Sequence, residues 1–127
     1  MTYLLDVNVI YNAIWTGQAQ HEAVWNWLEG KTTAICPLAE LGFVRISTHP
    51  KIGHVPMKET RAALEIFLTE RRVQRIPDDL PALQSAPKNT AEVTDSYLAA
   101  LAEKHGLKLA TLDAGIKHPA AVLLSSK

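Results

Sequence analysis

The chain has 127 residues, 47% of them hydrophobic, which suits one globular domain over 1–127 with a sizeable core and leaves no room for a second. Its 13 basic side chains balance 13 acidic ones, and a net charge of zero argues against coating nucleic acid through bulk positive charge. Cys36 is the only cysteine, so no intrachain disulfide or multi-cysteine metal cage can form; with no basic leader and no apolar run of ~18 residues, a soluble, cytoplasmic, membrane-free protein is expected.

Tyr3–Leu5 reads as a first strand, with a short helix after Asp6. Glu22–Glu29 carries Val24, Trp25 and Leu28 at helical spacing, and Gly30 stops it. Thr33–Cys36 is a second short strand, and Pro37 suits the first position of a helix running through Glu40, Leu41, Val44 and Arg45. "HPKIGHVP" is a loop. Met57–Glu70 buries Leu64, Phe67 and Leu68 along one stripe, and Val73–Ile76 is a further strand. Pro77 to Pro87 is irregular. "TDSYLAALAEKHG" gives the clearest helix, with Thr94 as its N-cap and Gly106 as its left-handed end. "LKLATLD" returns to strand, and Val122–Leu124 forms a last one. Strands separated by helices predict an α/β fold: a mostly parallel sheet of four or five strands with helices on both faces.

In such a sheet, ligands bind beyond the carboxyl ends of the strands. Four acids fall at that edge. Asp6 ends the first strand, Glu40 lies in the first turn after the second, Asp95 opens the clearest helix, and Asp113 follows "LKLAT". Singly, each has a plain structural role, as a helix cap or as a partner for a helix dipole. Together, carboxylates gathered at one edge cannot all stay ionised without compensation, and a divalent cation relieves them. Hard oxygen ligands without cysteines or a His-x-x-x-His pair favour Mg2+ or Mn2+. Asn8 and Thr111, two residues from Asp6 and Asp113, can brace the carboxylates by hydrogen bonds. The chemistry this suits is phosphodiester hydrolysis.

The residues also resemble a known family, the PIN-domain ribonucleases, and in particular the toxins of VapBC-type toxin–antitoxin pairs. "YLLDVNVI" is similar to the family's opening strand with its aspartate, "PLAELGFVRI" to its second motif, and "TDSYLAALAEKHGLKLATLDAG" to its closing motifs. The resemblance spans nearly the whole chain. It implies a PIN-like three-layer fold and a Mg2+- or Mn2+-dependent endoribonuclease, with Asp6, Glu40, Asp95 and Asp113 as catalytic and metal-binding acids. An RNA substrate, a cognate antitoxin and a homodimer are implied as well. A fifth acid that some members carry is missing from "DAGIKHP".

From Arg45 to Arg75, seven bases stand against three acids, either a solvated helix face or a phosphate-attracting rim. Arg45, five residues after Glu40, could contact a substrate phosphate or brace a carboxylate. Two other classes compete with the nuclease. A magnesium-binding receiver domain needs a phospho-accepting aspartate after a middle strand, where this chain reads "STHPKIGHVP". A non-catalytic RNA- or protein-binding relative would be expected to lose an acid, and all four are present.

Overall fold

The protein is described here by a computed structural model that covers residues 1–124. In chain order its elements are β1 (Thr2–Leu5), α1 (Val7–Ile14), α2 (His21–Leu28), β2 (Thr32–Ile35), α3 (Pro37–Thr48) and α4 (Met57–Glu70). There follow β3 (Gln74–Arg75), α5 (Val93–Lys104), β4 (Lys108–Thr111) and β5 (Ala121–Leu123). In the three central strands, adjacent residues are buried in pairs: Leu4 with Leu5, Ala34 with Ile35, Leu109 with Ala110, all at 0% exposure. Successive side chains of a strand point to opposite faces, so both faces of this sheet are covered.

All pairings are parallel, in the order β3-β2-β1-β4-β5. Leu4 sits opposite Ala34 on one side and Leu109 on the other. The chain therefore steps outward from β1 to β3, then returns to the far side of β1 and steps outward again. With right-handed crossovers, that reversal puts α1 to α4 on one face and α5 on the other. α1 packs on α2 and α3, α3 on α4, and α5 on β4. The carboxyl ends of β1 and β4, where the direction changes, flank the crevice that parallel sheets use for ligands.

Local chemistry explains most boundaries. Asp6 caps α1, its Oδ1 accepting from Val7 N–H at 2.7 Å. Pro37 takes the first position of α3, where a missing N–H costs nothing. Cys36, expected to close the second strand, instead stands just after β2 as the residue preceding α3, and gives that helix no side-chain cap. The cap arrives from far along the chain: Asp78 Oδ2 accepts the Leu38 N–H at 2.9 Å. At the other end of α3, buried Ser47 accepts from the Trp15 indole at 2.8 Å, while Trp15 stacks on Phe43.

Thr94 is not the cap of α5. A 3-10 turn over Thr90–Glu92 feeds the chain into the helix already wound, Glu92 having φ −92° and ψ −4°. A residue in helical conformation leaves no extended position for a hydroxyl cap, and Thr94 becomes the second helical residue. The edge strands also differ from expectation. β3 is two residues, flanked by a further Ile76 N–H to Ile35 carbonyl bond at 2.9 Å, and β5 begins one residue early. Edge strands have one partner, and pairing stops where the partner ends.

The loop after α3 folds back on the helix. Gly53 N–H donates to the Ile46 carbonyl at 3.2 Å and Val55 N–H to the Ser47 carbonyl at 2.9 Å. A β-carbon on Gly53 would collide with the Ser47 carbonyl, a backbone group that cannot step aside. Gly53→Ala is expected to cost about 2 kcal/mol or more in urea unfolding, as overpacked sites do; an unchanged midpoint would show that this loop does not pack as described.

Candidate active site

The switch point is built around Asp6. Its side chain is 4% exposed, and both carboxylate oxygens are engaged: Oδ1 by Val7 N–H and Oδ2 by the Thr111 hydroxyl at 2.7 Å. Thr111, at the end of β4 and 1% exposed, also accepts from Asp113 N–H at 3.0 Å. One hydroxyl thus joins β1 to the turn that carries Asp113. Asn8 completes the bridge, with Oδ1 accepting from Leu112 N–H at 3.1 Å and Nδ2 lying 3.5 Å from Thr111 Oγ1. Asp113 is exposed and bends its turn by accepting from Gly115 N–H at 2.8 Å.

Burial pushes the Asp6 carboxyl above its ordinary range, the bonds from Thr111 and Val7 pull it back in part, and the Asp113 charge pushes it up again. Asp95, in the first turn of α5, is lifted to about 6, first by burial and then by the charges of Asp6, Asp113 and Glu92. Asp6, Asp95 and Asp113 therefore act on one another's charge, although the first and last of them are more than a hundred residues apart in sequence. Glu92 is a further member that sequence reasoning missed. Its signal was available: it lies three residues before Asp95, one helical turn away.

Glu40 is held elsewhere. Its Oε1 lies 3.3 Å from Arg75 Nη2, and Arg75 also reaches Glu65 at 3.8 Å. β3, which carries Arg75, flanks β2 on the side away from β1, so this pairing turns Glu40 from the switch point. Glu40 is not among the charges that raise Asp6 or Asp95.

Two clefts meet at Asp95. One, about 830 Å3, runs between α1, α3 and α5 and includes Asp6, Asn8, Arg45, His49 and Asp95. The other, about 720 Å3, includes Asp95, Asp113, Lys88, Lys117 and His118. Among the described residues, no three acids, histidines or cysteines converge as a ready-made metal cage. What the site offers is a loose set of carboxylate oxygens, one buried and already oriented by Thr111. That suits Mg2+, which keeps several waters and takes one or two carboxylates, better than a metal requiring a closed shell. Cys36 is no competitor as a nucleophile: burial pushes its thiol up to about 12.

Comparison with known proteins bears on the family and the fold. The PIN domain family profile matches residues 3–122. The chain belongs to the PIN-domain family. Ribonuclease VapC38 of Mycobacterium tuberculosis is 35% identical over 89% of this chain and 86% of its own length. Ribonuclease VapC39 of the same species is 31% identical over 95% of each. In three dimensions, the VapBC2 structure from Rickettsia felis, bound to a promoter DNA fragment, matches with a TM-score of 0.65 at 18% identity, covering 97% of both chains. A toxin–antitoxin complex from Klebsiella pneumoniae matches with a TM-score of 0.62 at 20% identity, over 97% of this chain and 98% of its own. These two structures bear on the fold, which is the PIN architecture expected from the sequence.

Because the folded state holds the Asp95 proton more tightly than the unfolded chain does, this carboxyl favours folding below its ordinary value of 3.8, and the contribution is lost as pH rises through about 6. Metal-free protein should therefore lose thermal stability across that window, and the loss should shrink in Asp95→Asn. A carboxyl-carbon NMR titration should place the Asp95 midpoint near 6 and move it down in Asp113→Asn. A midpoint near 3.8 in both proteins would disprove the shared environment.

Proposed function

We propose that this PIN domain, working as a single unit over residues 1–127, is a Mg2+- or Mn2+-dependent endoribonuclease and the toxin of a type II toxin–antitoxin pair. The observation that carries the proposal is the placement of Asp6, Asp95 and Asp113 along two clefts that meet at Asp95, with Thr111 tying Asp6 to the turn of Asp113. Supporting it are the relatives named ribonuclease, which match over most of this chain at 30% identity or more. A cognate antitoxin is the partner we propose by analogy with the toxin–antitoxin complexes that share the fold. A homodimer and a cytoplasmic location follow from the family resemblance. Among the described residues, no helix is long and apolar enough to cross a membrane.

Each residue has a distinct task in this mechanism. Asp6, Asp95 and Asp113 would supply the oxygen ligands, and Asp6 is pre-oriented for that task because Thr111 fixes one oxygen and Val7 the other. Asn8 supports the site by holding the backbone ahead of Asp113 in place. The chemistry a bound Mg2+ or Mn2+ would supply there is polarisation of the phosphoryl group of the scissile phosphodiester. Asp95, lifted to about 6 by burial and by its acidic neighbours, is a carboxyl that would give up its proton when the site takes up positive charge. We keep Glu40 in the proposed metal-binding and catalytic set, in a role that requires its release from Arg75.

Purified, antitoxin-free protein should cleave structured RNA in Mg2+, stop on chelation, and fall to background in Asp6→Asn. Thr111→Val should lose about 10- to 100-fold, the usual cost of removing a residue that orients a ligand. Independently of turnover, saturating Mg2+ at 100 times its dissociation constant should stabilise the wild type by about 2.7 kcal/mol and leave Asp6→Asn unmoved. Equal RNA cleavage by wild type and Asp6→Asn would end the catalytic proposal.

A further inference from the structure

The two clefts that meet at Asp95 differ once the three aspartates are set aside. In the cleft between α1, α3 and α5, the charged side chain that remains is the Arg45 cation. In the other cleft, Lys88 and Lys117 are matched by Glu92 and Glu103, so no excess remains. Glu92 is moreover tied to this cleft's own backbone, accepting from Lys88 N–H at 3.0 Å. Arg45 stands in the last turn of α3, exposed, and makes no ion pair or side-chain hydrogen bond among the described residues. Two other arginines of the basic middle third are already committed, Arg71 to Glu29 at 3.9 Å and Arg75 to Glu40 and Glu65. Lys58 and Arg61 lie on α4 in a separate shallow pocket with Glu65.

A free guanidinium beside a carboxylate centre is a phosphate anchor in waiting, because its planar fork can take two phosphate oxygens at once. The floor of its cleft is apolar, with Leu38, Leu41, Ile52 and Leu98, and Leu41 and Ile52 are more than half exposed to solvent. Such a floor suits the flat faces of unpaired bases while the backbone is held at the rim. Resting on the nuclease reading above, we propose that single-stranded RNA lies in the α1–α3–α5 cleft, with a phosphate next to the scissile bond held by Arg45, and that the cleft lined by Lys117 does not hold the strand's backbone.

Binding can be separated from turnover by working in Asp6→Asn with chelator, following the anisotropy of a fluorescent single-stranded RNA oligonucleotide across a salt series. In that background, Arg45→Ala should weaken binding about 10-fold or more. It should also flatten the slope of log affinity against log salt by about 0.7, one phosphate contact on a single strand. Arg45→Lys should keep the slope while recovering only part of the affinity. Lys117→Ala and the double variant Lys58→Ala/Arg61→Ala should leave both quantities unchanged. In active protein, Arg45→Ala should raise KM more than it lowers kcat. The proposal is overturned if Lys117→Ala flattens the slope and Arg45→Ala does not, or if no RNA binding is measurable at low salt. Absence of cleavage with the Arg45 dependence intact would instead count against the nuclease reading alone. Circular dichroism of each variant excludes misfolding as the cause.

Discussion

The hydrogen bond from the Thr111 hydroxyl to Asp6 Oδ2 ties together everything around the switch point, because it spans 105 positions of sequence and is fully buried. Parallel neighbours β1 and β4 must be in register for the hydroxyl to arrive, and Leu5 opposite Ala110 sets that register. A buried carboxylate without such a partner would be costly and would simply keep its proton. The Thr111 bond pulls the Asp6 carboxyl part of the way back from where burial pushes it. The same oxygen of Thr111 receives the Asp113 N–H, so the bond also shapes the turn that presents the second aspartate.

That arrangement stores unfavourable electrostatics at one edge of an otherwise well-satisfied structure. Among the described residues, Thr60 Oγ1 is the one buried side-chain polar atom without a partner. The strain of the acids is localised: it appears in the raised carboxyls of Asp6 and Asp95 and not in the core beneath. Raised carboxyls in a cleft of a well-packed protein mark a candidate site, since packing alone would select against them. The loop from Pro77 onward supports the frame from the far side. Asp78 caps α3, Tyr97 donates to the Leu80 carbonyl at 2.8 Å, and Asp79 meets His105 at 2.7 Å. A stretch with no regular structure thus fastens α3 to α5, the two helices that form walls of the Arg45 cleft.

Glu40 and Arg45 show how one helix serves both sides of its strand. They lie five residues apart on α3. At ~100° per residue their directions differ by about 140°, so they cannot share a face. One is drawn over β2 to Arg75, and the other lines the cleft beside Asp6. The sequence motif that contains both conceals this division.

The gathering of Asp6, Asn8, Asp95, Thr111 and Asp113 at one sheet edge was legible from the chain itself, as was the parallel α/β frame. Short apolar strands followed by polar residues carry their own meaning: the period of the pattern names the element, and the acid after it marks the strand's functional end. Local chemistry sufficed there because a strand's carboxyl end and a helix's first turn are positions defined by neighbours in sequence. Four things needed the tertiary structure: the order in which strands meet, the partner of Glu40, the Asp78 cap on α3, and the wound entry that displaced Thr94 from its expected place. Each depends on groups from 12 to 105 residues apart, or on a turn whose backbone is set by what it packs against. Contacts at that range leave no periodic trace in a sequence, because nothing about the spacing of Glu40 and Arg75 distinguishes a pair that meets from one that does not.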